Sequence, residues 1–267
     1  MLREGIEAGL IVGIIASYLR QTGHQNLMVP VWIGIVLAIA ASLFCGAALL
    51  FVAADFPQKE QELFEAVVSL AAVVMLTSMV FWMRQNSSGL KRDLQKSIDR
   101  VVHQRSTATA WALVAMAFLA VAREGLESVF FLLAVIQQSP GWESVVSAAS
   151  GTLVAVLVSY GIYCKGIRLD LKRFFHLTGV FILLVAAGLL AGAIRSLHEA
   201  GIWNHLQYVV FDLSEFLPVD GLLGAMLSSF LGYQANPALG ELLAYLVFIA
   251  LTFPFFLRPM SNVPSST

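Results

Sequence analysis

The sequence predicts an all-α, polytopic membrane protein with about seven transmembrane helices. Composition is the first reason: 58% of the 267 residues are hydrophobic, 12% are charged, and the mean hydropathy is +0.80. A soluble domain carries roughly 25% charged residues. Length is the second, because uncharged stretches of about 20 residues recur, as a bilayer-spanning helix requires. These stretches also lack the short, strictly alternating segments of a membrane barrel.

The helices are predicted where these apolar stretches occur. In chain order they are Leu2–Leu19, Pro30–Ala53, Leu63–Met83, Thr107–Ile136, Ser144–Cys164, Phe174–Ile194 and Glu241–Leu257. The segment before the last helix is too broken to span a membrane. Within it, Ile202–Phe216 is predicted to form an amphipathic helix on the outer surface. Leu222–Tyr233 is apolar but short, as interfacial or re-entrant segments are.

The longest charged segment, Gln85–Arg105, separates two groups of three predicted helices. Because each group has an odd number of spans, the second is expected to be inverted relative to the first, a plan that recurs in transporters. The chain is therefore predicted to be a single membrane-embedded domain, 1–267. Its parts are a first repeat (1–83), a cytoplasmic loop (84–106), a second repeat (107–196), an outer interfacial segment (197–240) and a last helix (241–257).

The distribution of positive charge predicts the orientation, because Lys and Arg accumulate in short cytoplasmic loops. With the N-terminus outside, the outer side receives only Lys59 and Arg195. The cytoplasmic side then receives Arg20, Arg84, Lys91, Arg92, Lys96, Arg100, Arg105, Lys165, Arg168, Lys172, Arg173 and Arg258. The N-terminus is thus predicted to lie outside and the C-terminus in the cytoplasm.

One five-residue word, Arg-Glu-Gly-apolar-Glu, occurs twice inside predicted helices, as Arg3-Glu4-Gly5-Ile6-Glu7 and Arg123-Glu124-Gly125-Leu126-Glu127. An ionisable residue at the centre of a membrane helix costs roughly 2.5 to 3.5 kcal/mol, so such residues are usually functional. Counted from the cytoplasmic end at about 1.5 Å per residue, both words are expected in the outer half of their helices. The two helices run in opposite directions, so the words can face each other.

The spacing within each word predicts a binding face. The two glutamates are three residues apart, which places both carboxylates on one side of the helix. Each arginine is four residues before the second glutamate and can pair with it. Two arginines cannot neutralise four ionised glutamates, so a structural salt-bridge cluster would need two protonated carboxyls. A bound cation or a transported proton is the simpler completion, which makes Glu4, Glu7, Glu124 and Glu127 the candidate metal ligands.

Carboxylate oxygens favour hard cations such as Fe(III), Mn(II), Ca(II) or Mg(II) over Cu(I). A thioether path for Cu(I) along Met75, Met79 and Met83 is the soft alternative, although methionine more often fills apolar packing. Candidate residues of an outer relay are Glu62, Glu65, His198 and Glu199, near Arg195 and His205. The sequence contains no Walker-type phosphate loop, and its basic loop is explained by topology, so neither nucleotide nor nucleic-acid binding is predicted.

The paired words resemble those of the oxidase-dependent iron transporter family, which includes fungal high-affinity iron permeases and the iron permease of the bacterial Efe system. The resemblance extends over nearly the whole chain. It includes Phe56-Pro57-Gln58-Lys59-Glu60-Gln61-Glu62-Leu63-Phe64-Glu65, Ala122-Arg123-Glu124-Gly125-Leu126-Glu127-Ser128-Val129-Phe130-Phe131, and Gly192-Ala193-Ile194-Arg195 followed by His198-Glu199-Ala200-Gly201.

This resemblance implies an iron permease of the plasma (inner) membrane and not an enzyme. Glu4, Glu7, Glu124 and Glu127 would bind iron, with Arg3 and Arg123 as supporting residues. Iron, as Fe(II) or Fe(III), would be the transported substrate, with no prosthetic group. The implied partners are membrane lipid and periplasmic iron-handling or oxidase proteins, with no nucleic acid.

Family members carry several apolar residues before the first word, so Met1 is expected to be an internal methionine of a longer chain. Three other functions remain open at this point. They are a proton-coupled carrier of another divalent cation or of lead, an intramembrane metalloenzyme that activates water, and a structural membrane subunit whose buried ion pairs set helix packing.

Overall fold

The computed structural model describes residues 1–54, 56–86, 96, 98–99, 107–138, 142–165, 171–219 and 221–258. Within these ranges the chain forms eight α-helices and a 3₁₀ turn at Gln25–Leu27. The helices are α1 (Leu2–Gln21), α2 (Met28–Ala54), α3 (Gln58–Asn86), α4 (Thr107–Gln138), α5 (Trp142–Lys165), α6 (Leu171–Glu199), α7 (Leu222–Leu231) and α8 (Leu239–Leu257). The all-α prediction is confirmed.

Every one of the predicted apolar helices lies inside an observed helix, and most observed helices are a few residues longer. The helix α3, for example, begins at Gln58 and continues to Asn86, whereas the prediction ran from Leu63 to Met83. The prediction followed the apolar residues alone, but a helix continues into polar sequence as long as its backbone hydrogen bonds are made. Most of the predicted loop 84–106 lies outside the described residues.

Four helical segments are long and apolar enough to cross a membrane by length and composition. They are Gln25–Ala53, Gln58–Gln85, Phe174–Glu199 and Leu239–Leu257. The two helices that carry the charged words, α1 and α4, are not among them, although α4 has 32 residues. The chain is therefore a multi-pass membrane protein, and the count of seven spans stays a prediction.

The predicted amphipathic helix at Ile202–Phe216 is wrong, because this segment has an irregular backbone. Two of its N–H groups donate to backbone carbonyls of the segment that precedes α8, and not to carbonyls one helical turn earlier in the chain. Val210 N donates to Pro237 O at 3.1 Å, and Leu213 N donates to Ala235 O at 2.8 Å. Helix-period amphipathicity cannot reveal this non-local pairing, which satisfies the same donors. The short apolar segment after it forms the helix α7.

Close packing of small residues fixes the direction of the helix pairs. Gly5 approaches Ala155 and Gly9 approaches Ser159, so α1 and α5 run parallel. On the other side Gly125 approaches Ser42, and α2 runs parallel to α4. By contrast, α1 is antiparallel to α4, because the end of α1 and the beginning of α4 share one apolar cluster.

The helices α3 and α6 form the second half of the bundle and are antiparallel. Val68 near the start of α3 shares a buried cluster with Leu189, and Val80 near its end shares another with Leu183. We call the outer end of the bundle the end at which α1 and α3 begin and α4 and α6 end, following the predicted orientation. The start of α8 also lies there, because Gly240 packs against His198 of α6.

Large apolar side chains cover the outside of this bundle. On α2, Phe44 is 77% exposed and Phe51 is 75% exposed, and α6 exposes Leu177 to 75%. A soluble protein rarely leaves contiguous apolar surface of this kind uncovered. The lipid-facing surface expected from the composition is therefore present, while Arg3 and the four glutamates of the two words are buried in the bundle.

Candidate metal centre

Both Arg-Glu-Gly-apolar-Glu words lie in the interior of the bundle, where α1 meets α4. Glu4 and Glu7 are each 3% exposed, and Glu124 and Glu127 are each 6% exposed. Burial of four carboxylates is costly unless each finds a partner. The environment of each charge therefore decides what the cluster can do.

Within each word the arginine pairs with the second glutamate, as the spacing predicts. Arg3 Nε donates to Glu7 Oε1 at 2.8 Å, and Arg123 Nε donates to Glu127 Oε1 at 3.0 Å. A guanidinium four residues before a carboxylate on the same helix reaches it across one turn. One carboxylate of each word is thereby neutralised.

The first glutamate of each word has no arginine partner among the described ion pairs. Glu4 lies against the amino group of Met1. Glu124 Oε2 is buried without a hydrogen bond, and so are Glu127 Oε2 and both terminal nitrogens of Arg3. Buried polar atoms are nearly always hydrogen-bonded in proteins, so a group of orphaned ones indicates a missing partner.

The four carboxylates influence one another electrostatically across the two helices. The charge of Glu7 interacts with those of Glu4 and Glu127, and the charge of Glu124 interacts with those of Glu7 and Glu127. Even so, the described residues contain no group of three or more His, Cys, Asp or Glu side chains arranged to hold a metal ion. The fold brings the predicted ligands into one charged layer without closing them into a coordination sphere.

The glycine at the centre of each word allows the neighbouring helix to approach. A Cβ placed on Gly5 would lie 2.6 Å from Ala155 Cβ, and one on Gly125 would lie 2.2 Å from Ser42 Oγ. Small residues at such contacts let membrane helices pack closely. The glycines thus fix α1 against α5 and α4 against α2, which orients both carboxylate faces towards the α1–α4 contact.

These same contacts show which parts of the neighbouring helices the words approach. Ser42 is close to the middle of α2, and Ala155 is close to the middle of α5. Gly125 therefore lies beside the middle of α2, and Gly5 lies beside the middle of α5. The outer-half depth of the words in the membrane stays a prediction.

A cavity of about 200 Å³ adjoins the carboxylate layer on its inner side. Glu7 and Glu124 reach it, together with Arg123 and Trp82. The rest of its lining is Leu10, Ile11, Met83 and Ala120. Along the antiparallel helices Glu7 and Glu124 are each the glutamate of their word nearer the inner end, so the layer presents an inner pair to the cavity. Glu4 and Glu127 form the outer pair.

Two methionines of α3, Met79 and Met83, are each 1% exposed. Met83 also lines the inner cavity beside Glu7 and Glu124. Methionine commonly fills irregular gaps in packing, and burial of this kind is typical of that role. The carboxylate layer, and not the methionine line, is the polar feature of the bundle interior.

A second cavity, of about 210 Å³, lies at the outer end between α3, α6 and the segment that follows α7. Glu65 and Glu199 line it, beside Arg195 and Gln137. Arg195 is also held by a two-point ion pair to Glu241 at the start of α8, with N–O distances of 3.3 and 2.6 Å. The lining of this cavity therefore contains two acidic residues, Glu65 and Glu199, and an arginine whose position is fixed by its ion pair with Glu241.

The structure brings together three of the four predicted relay residues. The charge of Glu62 interacts with those of Glu199 and Glu65. His198 faces elsewhere, because its ring packs 5.8 Å from that of Trp203. The glutamates thus form an acidic cluster at the outer end, and the histidine belongs to a separate contact.

Sequence reasoning missed several residues that contact the site. Trp82 stacks on Arg123 with its ring centre 4.8 Å from the guanidinium carbon, and Ser42 touches Gly125. No spacing rule links α3 or α2 to the words, so only the packing could identify these residues. Glu241 was visible as an acidic residue at a helix start, but its arginine partner is distant in sequence.

Comparison with known proteins shows the family of this chain. The model of the iron permease FTR1 family matches residues 1–260. "Ferrous iron permease EfeU" of Yersinia pestis is 48% identical over 267 residues, which is 100% of this chain and 94% of that protein. The protein of the same name from Shigella sonnei is 48% identical over 100% of this chain and 96% of its own length.

The protein of that name from Escherichia coli O6:K15:H31 is 48% identical over 259 residues, or 97% of this chain. No solved structure matches the chain significantly. A family match over almost the full length, together with relatives at this identity, establishes the assignment. The chain belongs to the iron permease FTR1 family.

Proposed function

We propose that this permease imports ferrous iron across the inner membrane through the carboxylates of Glu4, Glu7, Glu124 and Glu127. The observation that carries the proposal is the charge imbalance in the bundle interior. Four buried carboxylates are accompanied by two arginines and the amino group of Met1, and Glu124 Oε2 and Glu127 Oε2 have no hydrogen-bond partner. A divalent cation would supply the missing positive charge and the missing contacts.

The two cavities support a direction for the movement. Iron would enter at the outer cavity, where Glu62, Glu65 and Glu199 concentrate cations. It would then pass to the outer pair of carboxylates and next to the inner pair, and leave through the inner cavity. Because the layer is not closed into a coordination sphere, transport requires a helix movement that brings the pairs together around the ion.

Arg3 would neutralise the carboxylates when the ion leaves. Its two terminal nitrogens are buried and unpartnered, and its charge interacts with that of Glu127 as well as with Glu7. An arginine between carboxylates from both helices can neutralise them in turn. This would prevent the empty site from remaining as four repelling charges.

Ferrous iron is the proposed species because the names of the bacterial relatives specify it. Carboxylates also bind ferric iron and other hard cations, so the ligand type alone does not select the oxidation state. Delivery by periplasmic iron-handling or oxidase partners is a further part of the proposal and rests on the family resemblance.

We also propose that residues 1–83 and 107–196 are inverted repeats. The support is a pair of equivalent contacts: Gly5 of the first word packs against α5, and Gly125 of the second packs against α2. In each case the first helix of one group contacts the second helix of the other. The positive-inside distribution supports an outer N-terminus and a cytoplasmic C-terminus.

The test is iron flux into liposomes that contain the purified protein alone, with Fe(II) and Fe(III) supplied separately. Wild type should transport Fe(II). Glu124→Gln removes one carboxylate ligand and should reduce the initial rate of transport by about tenfold or more. A tenfold loss corresponds to a barrier higher by about 1.4 kcal/mol. Glu215→Gln, at an exposed position outside the helices, is the matched control and should transport normally.

Wild-type flux in Glu7→Gln, Glu124→Gln and Glu127→Gln alike would refute the four-carboxylate site. Competition among Fe(II), Mn(II) and Cu(I) in the same liposomes distinguishes an iron permease from a carrier of another divalent cation. Bound metal without flux would instead favour an intramembrane metalloenzyme, and unfolding of all three Gln variants would favour a structural role.

A further inference from the structure

The two arginines of the words have different surroundings although the words are alike. Arg3 is 4% exposed, and its guanidinium carbon lies 5.9 Å from the ring centre of Phe175. Arg123 has a side chain that is 46% exposed and lies closer, at 4.8 Å, to the ring centre of Trp82. Arg123 is thus held from two sides, by the carboxylate of Glu127 and by the indole face.

Arg123 has a second carboxylate within reach. Glu124, the next residue, lines the same inner cavity, and the charges of the two residues interact. The cavity of about 200 Å³ has room for a guanidinium to move. Glu124 Oε2 is buried and has no hydrogen bond, so an arginine that left Trp82 would find an acceptor there. A guanidinium on Glu124 would occupy the position that the cation needs.

We propose that Trp82 is a positioning residue that holds Arg123 against Glu127 and away from Glu124, and so keeps Glu124 free to bind the transported cation. This inference rests on the proposed function of the four carboxylates. Tryptophan is the aromatic side chain that binds a cation best, and the attraction is strongest away from water. Without the indole, Arg123 competes with the metal for Glu124.

This competition is expected to weaken the binding of Fe(II) without slowing the transport step that follows binding. Trp82→Leu should raise the dissociation constant for Fe(II) by about tenfold, the loss expected when a partly desolvated cation–π contact is removed. In liposomes the KM should rise by a similar factor, while kcat at saturating Fe(II) stays near wild type. Trp82→Phe keeps an aromatic face and should fall between wild type and Trp82→Leu.

The experiment measures Fe(II) binding to the purified full-length protein and Fe(II) flux in liposomes for wild type, Trp82→Phe and Trp82→Leu. The matched control is Trp111→Leu, because Trp111 is a 71% exposed residue of α4 remote from the words. It should leave both the dissociation constant and the KM unchanged. The same measurements in an Arg123→Gln background show whether Trp82 acts through the arginine.

In the Arg123→Gln background Trp82→Leu should have no further effect on Fe(II) binding. An equal loss of affinity in both backgrounds would mean that Trp82 acts by packing alone and would overturn the inference. Wild-type affinity in Trp82→Leu would overturn it as well. Wild-type protein that neither binds nor transports Fe(II) would instead refute the function on which the inference rests, so the two failures are distinguishable.

Discussion

At the scale of residues, the two words have the same spacing but different environments. Arg3 is buried with Glu7, and both of its terminal nitrogens lack hydrogen bonds, whereas nearly half of the Arg123 side chain is exposed. Loss of one member of a buried ion pair leaves an uncompensated charge. Loss of a partner from a half-exposed pair costs less, because surrounding polar groups and water compensate.

We therefore expect Arg3→Gln to reduce stability more than Arg123→Gln. The expected losses are about 3 kcal/mol for Arg3→Gln and about 1 kcal/mol for Arg123→Gln. Thermal unfolding of the purified proteins in the same detergent measures the difference. Equal losses would show that the two pairs are equally buried in solution, contrary to the structure.

At the scale of helices, small residues decide which elements touch. Gly125 lies so close to Ser42 that a side chain cannot fit between them, while Gly13 of α1 has no atom within 4 Å of the position of an added Cβ. The same substitution should therefore have opposite effects at the two glycines. Alanine favours a helix over glycine by about 1 kcal/mol where nothing obstructs it.

Gly125→Ala should separate α4 from α2 and lower both stability and iron flux, because overpacking costs about 1 to 3 kcal/mol. Gly13→Ala is the matched control and should leave the flux unchanged with stability equal or slightly higher. Melting temperatures and liposome flux for the two variants provide the comparison. A Gly125→Ala protein as stable and as active as wild type would contradict the close contact.

The ion pair between α6 and α8 provides another prediction for the same scale. Glu241 is 6% exposed, and both of its oxygens bond to Arg195. Glu241→Gln should destabilise the protein by about 2 kcal/mol, since a hydrogen bond to a charged group contributes about 1.5 to 3 kcal/mol. The double exchange Arg195→Glu with Glu241→Arg should recover part of the loss in a thermal melt. Failure of the exchange to recover anything would indicate that Arg195 has another essential contact at the outer cavity.

At the scale of the whole molecule, the charged layer has one cavity on its inner side, and the other cavity lies at the outer end of the bundle. Glu65 and Glu199 line the outer cavity, and Glu7 and Glu124 line the inner one. The direction of transport that this arrangement implies depends on the orientation of the bundle in the membrane. The excess of Lys and Arg on one set of loops predicts that orientation.

A reporter that fluoresces only in the cytoplasm, fused after residue 258, should be fluorescent in cells. A phosphatase that is active only in the periplasm should be inactive at the same position, because the C-terminus is predicted to be cytoplasmic. A single cysteine at Lys59, in a variant without Cys45 and Cys164, should react with a membrane-impermeant reagent added outside. The reverse pattern in all these measurements would invert the proposed direction of transport.

The sequence by itself determined the helices and the candidate ligands. The positions of the helices follow from apolar length, and the pairing of each arginine with the second glutamate of its word follows from i, i+4 spacing on one helix. Both are local properties, so they can be derived from neighbouring residues. The family resemblance also needed no coordinates, because the word and its flanking residues carry it.

Only the tertiary structure decided which helices the words contact, the partners of Arg123 and Arg195, and the backbone of residues 202–216. Each depends on contacts between residues distant in the chain, such as Gly125 with Ser42 and Trp82 with Arg123. Helix periodicity gives the face of a residue but not the helix packed against it. For this reason the sequence could name the four carboxylates, while the cavity that Glu7 and Glu124 line required the packing of α1 and α4 with α3.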